Sequence, residues 1–347
     1  MRIARNSVNA TRRVASHRGS RIMTRAVIMN IRADDAVTLF YLACVALLVV
    51  VFHQRVEHAW VYPLSHVVWA GGILALVWKA HRTPRGLWIF ARNWYHLPSI
   101  PLAFRELHYL VHAINPRDLD PLLTRWDWVL CGGVHPTVWL ERFMHPWLTE
   151  YLQIVYSSFY FLPVILGVLL WWDRDFDGFQ RTLAAVATGF YVSYLAYFAF
   201  PALGPRFEIA HLQQKGLEGI WLTGILRAGL DRLELIQRDA FPSGHVGVSL
   251  LVLYCAKRFS PRAFVPYLAV VLSLIVSTVY LRYHYVVDVL AGIVLAVVSG
   301  WLAKGIWRWL GGRATGSGEK GEAPGPLRAQ SLCGDRAGYR RAQSGRS

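Results

Sequence analysis

Charge is scarce in this chain of 347 residues: 17% of them are charged, against about a quarter in a soluble domain. With 54% hydrophobic residues and a mean hydropathy of +0.32, the shortage excludes an ordinary water-soluble protein and, for most of the chain, disorder. Cysteine is scarce as well. Cys44, Cys131, Cys255 and Cys333 are scattered, three of them in or near apolar segments, so a disulfide scaffold is excluded. Acidic residues are missing altogether from residues 1–33, which carry eight arginines between Arg2 and Arg32. A net charge of +16 would suggest nucleic acid for a soluble protein. Here the basic residues gather at the two ends, so membrane topology explains them and no nucleic-acid partner is expected.

The basic start reads as a cytoplasmic tail, or as an over-long start with initiation at Met23 or Met29, in preference to a transit peptide. Arg12-Arg13 lacks the apolar run that a twin-arginine signal needs. Five apolar runs follow, at 36–52, 60–78, 149–172, 182–203 and 264–281. Residues 244–256 and 286–303 read as further apolar helices, the first of them short. Residues 94–114 are mixed, with Pro98, Pro101, Arg105, Glu106, His108 and His112. A hydrocarbon core needs about 20 helical residues, so several of these are borderline alone and charge decides. Lys79, Arg82, Arg85 and Arg92 read as cytoplasmic, as do Lys257, Arg258 and Arg262, the N-terminus, and Lys304, Arg308 and Arg313. All can lie inside only if 94–114 crosses the membrane.

The expected fold is therefore all-α, a polytopic membrane helix bundle of about eight spans with both termini in the cytoplasm. Its parts are a basic tail (1–33), N-terminal spans (34–115), a catalytic region (116–303) and a basic disordered tail (304–347). The outside loops are 53–59, 115–148, 204–240 and 282–285. The loop 204–240 balances its charges, Arg206 and Arg238 among the bases and Asp231 and Asp239 among the acids.

Two motifs carry chemistry. Phe241-Pro242-Ser243-Gly244-His245 opens one span, and Arg282-Tyr283-His284-Tyr285-Val286-Val287-Asp288 opens the span two later. Two crossings return the chain to the same side, so His245 and His284 share one face, the outside by the charge argument. His284 and Asp288 are spaced i, i+4 and lie on one helix face. A carboxylate there can fix the imidazole tautomer and leave the other nitrogen free as a nucleophile. His245 sits beside the N-terminal amides of its helix, where anions bind, and Ser243 and Gly244 let those amides approach phosphate oxygens. A lone histidine at a helix end is usually a structural hydrogen bonder, and Asp288 could merely pair with Arg282. Ionisable residues near membrane depth are costly, however, and point to function. The set suits transfer of a phosphoryl group through a phosphohistidine.

At these residues the chain resembles the type 2 phosphatidic acid phosphatase superfamily. Pro242-Ser243-Gly244-His245 is similar to its second motif, and His284 with Asp288 to the end of its third; the likeness covers roughly residues 150–303. The resemblance implies a six-helix core, with His284 as nucleophile, Asp288 as its orienting partner and His245 as acid to the leaving oxygen. The chain departs from the common pattern at Thr278 and Ala199, which stand where an arginine and a lysine are usual. Gly204-Pro205-Arg206 and Tyr280-Leu281-Arg282-Tyr283-His284-Tyr285-Val286-Val287-Asp288 resemble instead the inositol phosphorylceramide synthase (inositolphosphotransferase) branch, with one extra residue between Tyr280 and the histidine pair. Arg92-Asn93-Trp94, Arg105-Glu106, Asp127 and Gly132-Gly133 before Pro136 are similar to that branch too. The branch resemblance implies Arg206 and Arg282 as phosphate ligands, each offering a bidentate guanidinium.

Other signals lead elsewhere. Asp173-x-Asp175-x-Asp177-Gly178 begins like a calcium loop, but Ala184 stands at its closing position. The same stretch lacks the later aspartate pair of an alcohol phosphotransferase motif. His108 and His112 would need a third ligand to hold zinc. Glu106 with Arg105 either lines a substrate cavity or locks two helices. Asn9-Ala10-Thr11 is a glycosylation sequon by pattern only.

The sequence thus points to a membrane phosphotransferase moving a phosphoryl or phospho-headgroup, phosphoinositol by kinship alone, from a phospholipid to a lipid or sugar hydroxyl. The alternative is a lipid phosphate or isoprenyl pyrophosphate phosphatase, with water as acceptor. A non-catalytic lipid-binding or transport protein is the reading from another class. No metal or cofactor is required by these residues.

Overall fold

The computed structural model describes residues 30–234 and 238–315. Most of the two expected tails, Met23, Met29, the Asn9 sequon and Cys333 lie outside the described residues. Every longer element among the described residues is a helix: α1 (Ala33–Val51), α2 (Val61–Arg82), α3 (Gly86–Trp94), α4 (His96–Ile114), α5 (Asp120–Leu130), α6 (Pro146–Ser157), α7 (Leu162–Trp172), α8 (Phe176–Ala199), α9 (Thr223–Glu234), α10 (Gly244–Phe259), α11 (Pro261–Tyr280) and α12 (Val286–Thr315). Proline stands in the first turn of α5, α6, α7 and α11, where its missing N–H costs nothing. Asp175, read from sequence as part of a spurious calcium pattern, caps α8: its Oδ1 accepts the Gly178 amide at 2.9 Å.

Five of these helices are long and apolar enough to cross a membrane, or six if α6 and α7 form one span bent by 55°. The chain is therefore a multi-pass membrane protein. The eight expected spans are not all reached on length and apolarity. The run 149–172 breaks at the 3-10 turn Ser158–Tyr160, just before Pro163. Helix α4 carries Arg105 and Glu106, and α10 has 16 residues, about 24 Å of rise against a hydrocarbon core of about 30 Å. Residues 304–315, expected as disordered tail, continue α12; Ile306, Trp307, Trp309 and Leu310 keep that stretch apolar.

Helix α8 is the centre of the bundle, packing on α1, α4, α7, α10 and α12. Tyr41 of α1 stacks on Tyr191 of α8 at 4.6 Å. On its other side Val248 and Val252 of α10 join Ala185 and Val186 in a second core cluster. Helices α10 and α12 approach so closely that a β-carbon on Gly292 would lie 2.8 Å from the Ser243 carbonyl oxygen and 2.9 Å from Val246 Cβ. In lipid, where apolar surface gains little by pairing, such backbone contact is what joins helices.

At the end of the bundle away from the histidines, a buried ionic cluster ties α1 to α3 and α4. Arg92 bonds Asp35 at 3.0 Å, Arg32 bonds Asp34 at 3.1 Å and Asn93 at 2.7 Å, and His96 reaches Asp34 at 3.1 Å. Glu106 bonds His66 at 2.8 Å, so of its two expected roles the structure shows a lock between α4 and α2. Gly292→Ala should cost about 1–3 kcal/mol by overpacking, read as a lower thermal midpoint in detergent; an unchanged midpoint would refute the close-contact argument.

Candidate active site

Three carboxylates and one left-handed residue fold the connection from α11 to α12. Arg282 has φ +66, a conformation common just past a helix end. It lets the amides of both Tyr283 and His284 donate to the Thr278 carbonyl at 3.0 Å. Asp127 of α5 accepts from the Val286 and Val287 amides at 2.9 and 2.8 Å, capping α12 from another helix. Asp120 accepts the Tyr285 hydroxyl at 3.0 Å and the Leu203 and Gly204 amides at 2.7 and 2.8 Å. Gly204 has φ +90, and a β-carbon on it would lie 2.6 Å from the Tyr283 carbonyl oxygen. The Gly204-Pro205-Arg206 turn therefore rests directly on the segment that carries His284. Asp288 Oδ2 accepts the Tyr285 amide at 2.8 Å, and its Oδ1 is buried with no partner.

These contacts bring His245, His284 and Asp288 together. His284 Nδ1 lies 2.8 Å from the Ala240 carbonyl oxygen and 3.5 Å from Asp288 Oδ2. A carbonyl only accepts, so Nδ1 carries the proton and the lone pair is left on Nε2. The tautomer expected from Asp288 is thus set first by a backbone carbonyl, with Asp288 as the longer contact. His284 Nε2 faces His245 Nδ1 at 3.5 Å. The His245 ring stacks on Tyr156 at 4.5 Å and meets Phe159 at 4.3 Å, and its Nε2 is buried without a partner. Burial pushes the His284 imidazole from 6.5 down to about 4; Asp239 and the Ala240 carbonyl pull it up, and Arg206 pushes it further down.

Arg206 reaches this group through aromatic rings. Its guanidinium lies 4.9 Å over Tyr283, which stacks on Tyr156 at 4.3 Å and so on His245. Its hydrogen bond goes to Asp231 at 3.1 Å. Arg282 is turned away. Its guanidinium bonds Glu141 at 2.8 Å and the Lys215 carbonyl at 2.6 Å, deep under the loop 204–240. The expected phosphate role of Arg282 does not match that placement: one terminal nitrogen is held by a buried carboxylate and a carbonyl, and its Nε is buried without a partner. Ser243 is likewise engaged: its hydroxyl accepts the Val246 amide at 3.3 Å and its amide donates to the Asp288 carbonyl at 3.2 Å. Gly244 is pressed against Tyr197, whose hydroxyl would lie 2.6 Å from an added β-carbon. The amides of Gly244 and His245 open α10, where a helix has no acceptor of its own for them.

An apolar cavity of about 360 Å³ ends at Asp239, Gly244 and His245. In the sequence Asp239 is one of the ordinary charges of the loop 204–240, and Asp120 carries no signal of its own; burial raises the Asp239 carboxyl above its ordinary value. Tyr156 was read only as part of an apolar run. No local pattern marks them; they are brought in by the turn at 281–288. Among the described residues no cluster of three or more His, Cys, Asp or Glu is placed to hold a metal.

Comparison with known proteins places the chain in a family. Residues 123–302 match the model of the PAP2 superfamily, about half of the chain. The chain belongs to the PAP2 superfamily. A PA-phosphatase related-family protein of Dictyostelium discoideum is 27% identical over 207 residues, covering 51% of this chain and 37% of that relative. The chain therefore matches well under half of the relative's length. No solved structure matches. Membership supports lipid-phosphatase-type chemistry in general, and nothing in the comparisons singles out the inositolphosphotransferase branch.

Two predictions follow from the buried pair and its supports. The native state holds His284 neutral between about 4 and 6.5, while the unfolded chain binds a proton there. Its contribution to stability is therefore full above 6.5 and is lost as pH falls toward 4. The thermal midpoint of wild type relative to His284→Gln should fall with acidification across that window; a parallel pH profile would refute the depressed titration. Asp127→Ala uncaps α12 and should cost about 1–3 kcal/mol, with the His284 ring losing its fixed orientation, visible as a broadened imidazole resonance by NMR.

Proposed function

We propose that the chain is a lipid phosphoesterase of the membrane, acting through a phosphohistidine on His284. The observation that supports this best is the His284 tautomer: Nδ1 is held by the Ala240 carbonyl, and the lone pair on Nε2 faces His245 at 3.5 Å, at the mouth of an apolar cavity. Nε2 attacks phosphorus as the bond from phosphorus to the lipid oxygen breaks, and His245 gives that oxygen its proton. Water then attacks the phosphohistidine, His245 takes its proton, and the P–N bond breaks to return His284. Nitrogens 3.5 Å apart leave no room for a phosphorus atom, so the His245 ring swings toward the cavity as substrate enters. Arg206 and the amides of Gly244 and His245 balance the phosphoryl charge; Asp288 steadies the imidazolium. The charge pattern of the loops supports eight spans around a six-helix core, with this site facing the periplasm or lumen and both termini cytoplasmic.

Transfer to a lipid or sugar hydroxyl is the second reading, and one observation favours it. The site is poor in cations: Arg282 is held by Glu141, Arg206 is shared with Asp231, and Asp239 adds a carboxyl at the cavity end. Ala199 and Thr278 supply no cation either. Such a site suits the single charge of a phosphodiester better than the double charge of a monoester.

Purified protein in mixed phospholipid micelles would be assayed for inorganic phosphate, free headgroup phosphate and new lipids by mass spectrometry. Release of inorganic phosphate is expected, with His284→Ala lowering it by more than about a thousandfold and His245→Ala by about a hundredfold or more. A new lipid carrying a moved headgroup phosphate would replace hydrolysis by transfer. Full activity in His284→Ala would overturn the phosphohistidine route.

A further inference from the structure

The cavity extends far beyond what a phosphate group needs. It follows α8 from Tyr197, beside Gly244, to Phe179 at the other end. These two residues stand eighteen apart on one continuous helix, about 27 Å of rise. The hydrocarbon core of a bilayer is about 30 Å across both leaflets, so the cavity is nearly twice as deep as one leaflet's tail requires. Its far end is narrow. A β-carbon on Gly167 would lie 3.4 Å from the rings of both Trp94 and Phe179. Beyond them Asn93 and His96 also line the cavity, and both are tied into the ionic cluster around Asp34 and Arg32, so the floor cannot easily yield. Trp94 and His96 lie on α3 and α4, outside the residues 123–302 matched to the family.

We propose that the cavity holds one hydrocarbon tail of the substrate, and that Gly167 sets the longest tail accepted. The proposal rests on the phosphoesterase reading for the position of the headgroup at His245. Continuity with the histidine pair identifies the occupant, because a phosphate at His245 points its ester-linked chain down the apolar walls. A side chain on Gly167 would fill the space between Trp94 and Phe179 and shorten the cavity without touching the catalytic residues.

The test compares geranyl with geranylgeranyl phosphate, and dioctanoyl with dioleoyl phosphatidic acid, on wild type, Gly167→Ala and Gly167→Leu. Loss of a hydrophobic subsite should lower kcat/KM for the longer member of a pair by at least about tenfold in Gly167→Leu, and by less in Gly167→Ala. Activity on the shorter member should persist and shows that the variant is folded. A pattern confined to the isoprenoids names an isoprenoid tail; the same pattern with the phosphatidic acids names an acyl one. Equal losses on short and long substrates, or no loss, would overturn the proposal. Thermal midpoints with geranylgeraniol give a readout free of catalysis, with a rise expected in wild type and none in Gly167→Leu. That difference without any hydrolysis would leave the tail site standing and remove the phosphoesterase reading. Hydrolysis without chain-length discrimination would do the reverse.

Discussion

An imidazole serves as a nucleophile only when one nitrogen is protonated and pinned while the other is free. In the proposed role of His284 the pin is the hydrogen bond from its Nδ1 to the Ala240 carbonyl, and the surrounding loops are arranged to keep that carbonyl in place. The Ala240 amide donates to the Ala202 carbonyl at 3.1 Å, and the Leu203 and Gly204 amides that follow are held by Asp120. Asp120 also holds Tyr285, the neighbour of His284. The chain leaving α8, the chain entering α10 and the chain entering α12 are thus tied to one carboxylate on α5. Displacing any of them would move the carbonyl, the ring or both. A small error there is costly, since catalysis by positioning loses rate steeply with misplacement.

The same arrangement explains the buried acids. Asp120, Asp127 and Asp288 are all nearly inaccessible, and an isolated buried carboxylate would be expensive. Each is stabilised by backbone amides at helix ends or in turns, which have no partner of their own. Asp127 takes the amides at the start of α12, so that helix end is closed to a substrate phosphate. The start of α10 is not closed in this way, since Ser243 takes only the Val246 amide, and it is there that the proposed function places the phosphate.

Much of this was legible in the sequence. Motif spacing placed His245 and His284 on one face, because two helices between them return the chain to its starting side, and the i, i+4 step brought Asp288 within 3.5 Å of His284. What was not legible depended on tertiary contacts with no local signature. Arg282 looked like a phosphate ligand from its closeness to His284, yet its left-handed backbone sends the side chain to Glu141, far earlier in the chain. The Ala240 carbonyl has no side chain to announce it. The break between α6 and α7 was hidden by unbroken hydrophobicity, since hydropathy averages over a bend that proline and a 3-10 turn impose. Arg92 was read as a topology signal, and the structure spends it on Asp35; one cation can serve both purposes at a helix end.

On the proposed phosphohistidine route, the loop between α8 and α10 bears on which acceptor can reach His284. Glu150 of α6 collects the amides of Ile220, Trp221 and Thr223 at 3.0 to 3.2 Å, and Glu141 collects that of Gln214 at 3.0 Å. Leu217 and Leu230 of the same loop pack with Tyr156 and Tyr283, the rings that link Arg206 to His245. The loop is therefore bolted over the aromatic stack at two points, and entry from that side is obstructed. An acceptor arriving along the apolar cavity meets no such obstacle. On the proposed chemistry, access along this apolar path would favour an amphiphilic alcohol over water, and so weighs toward the second reading, transfer.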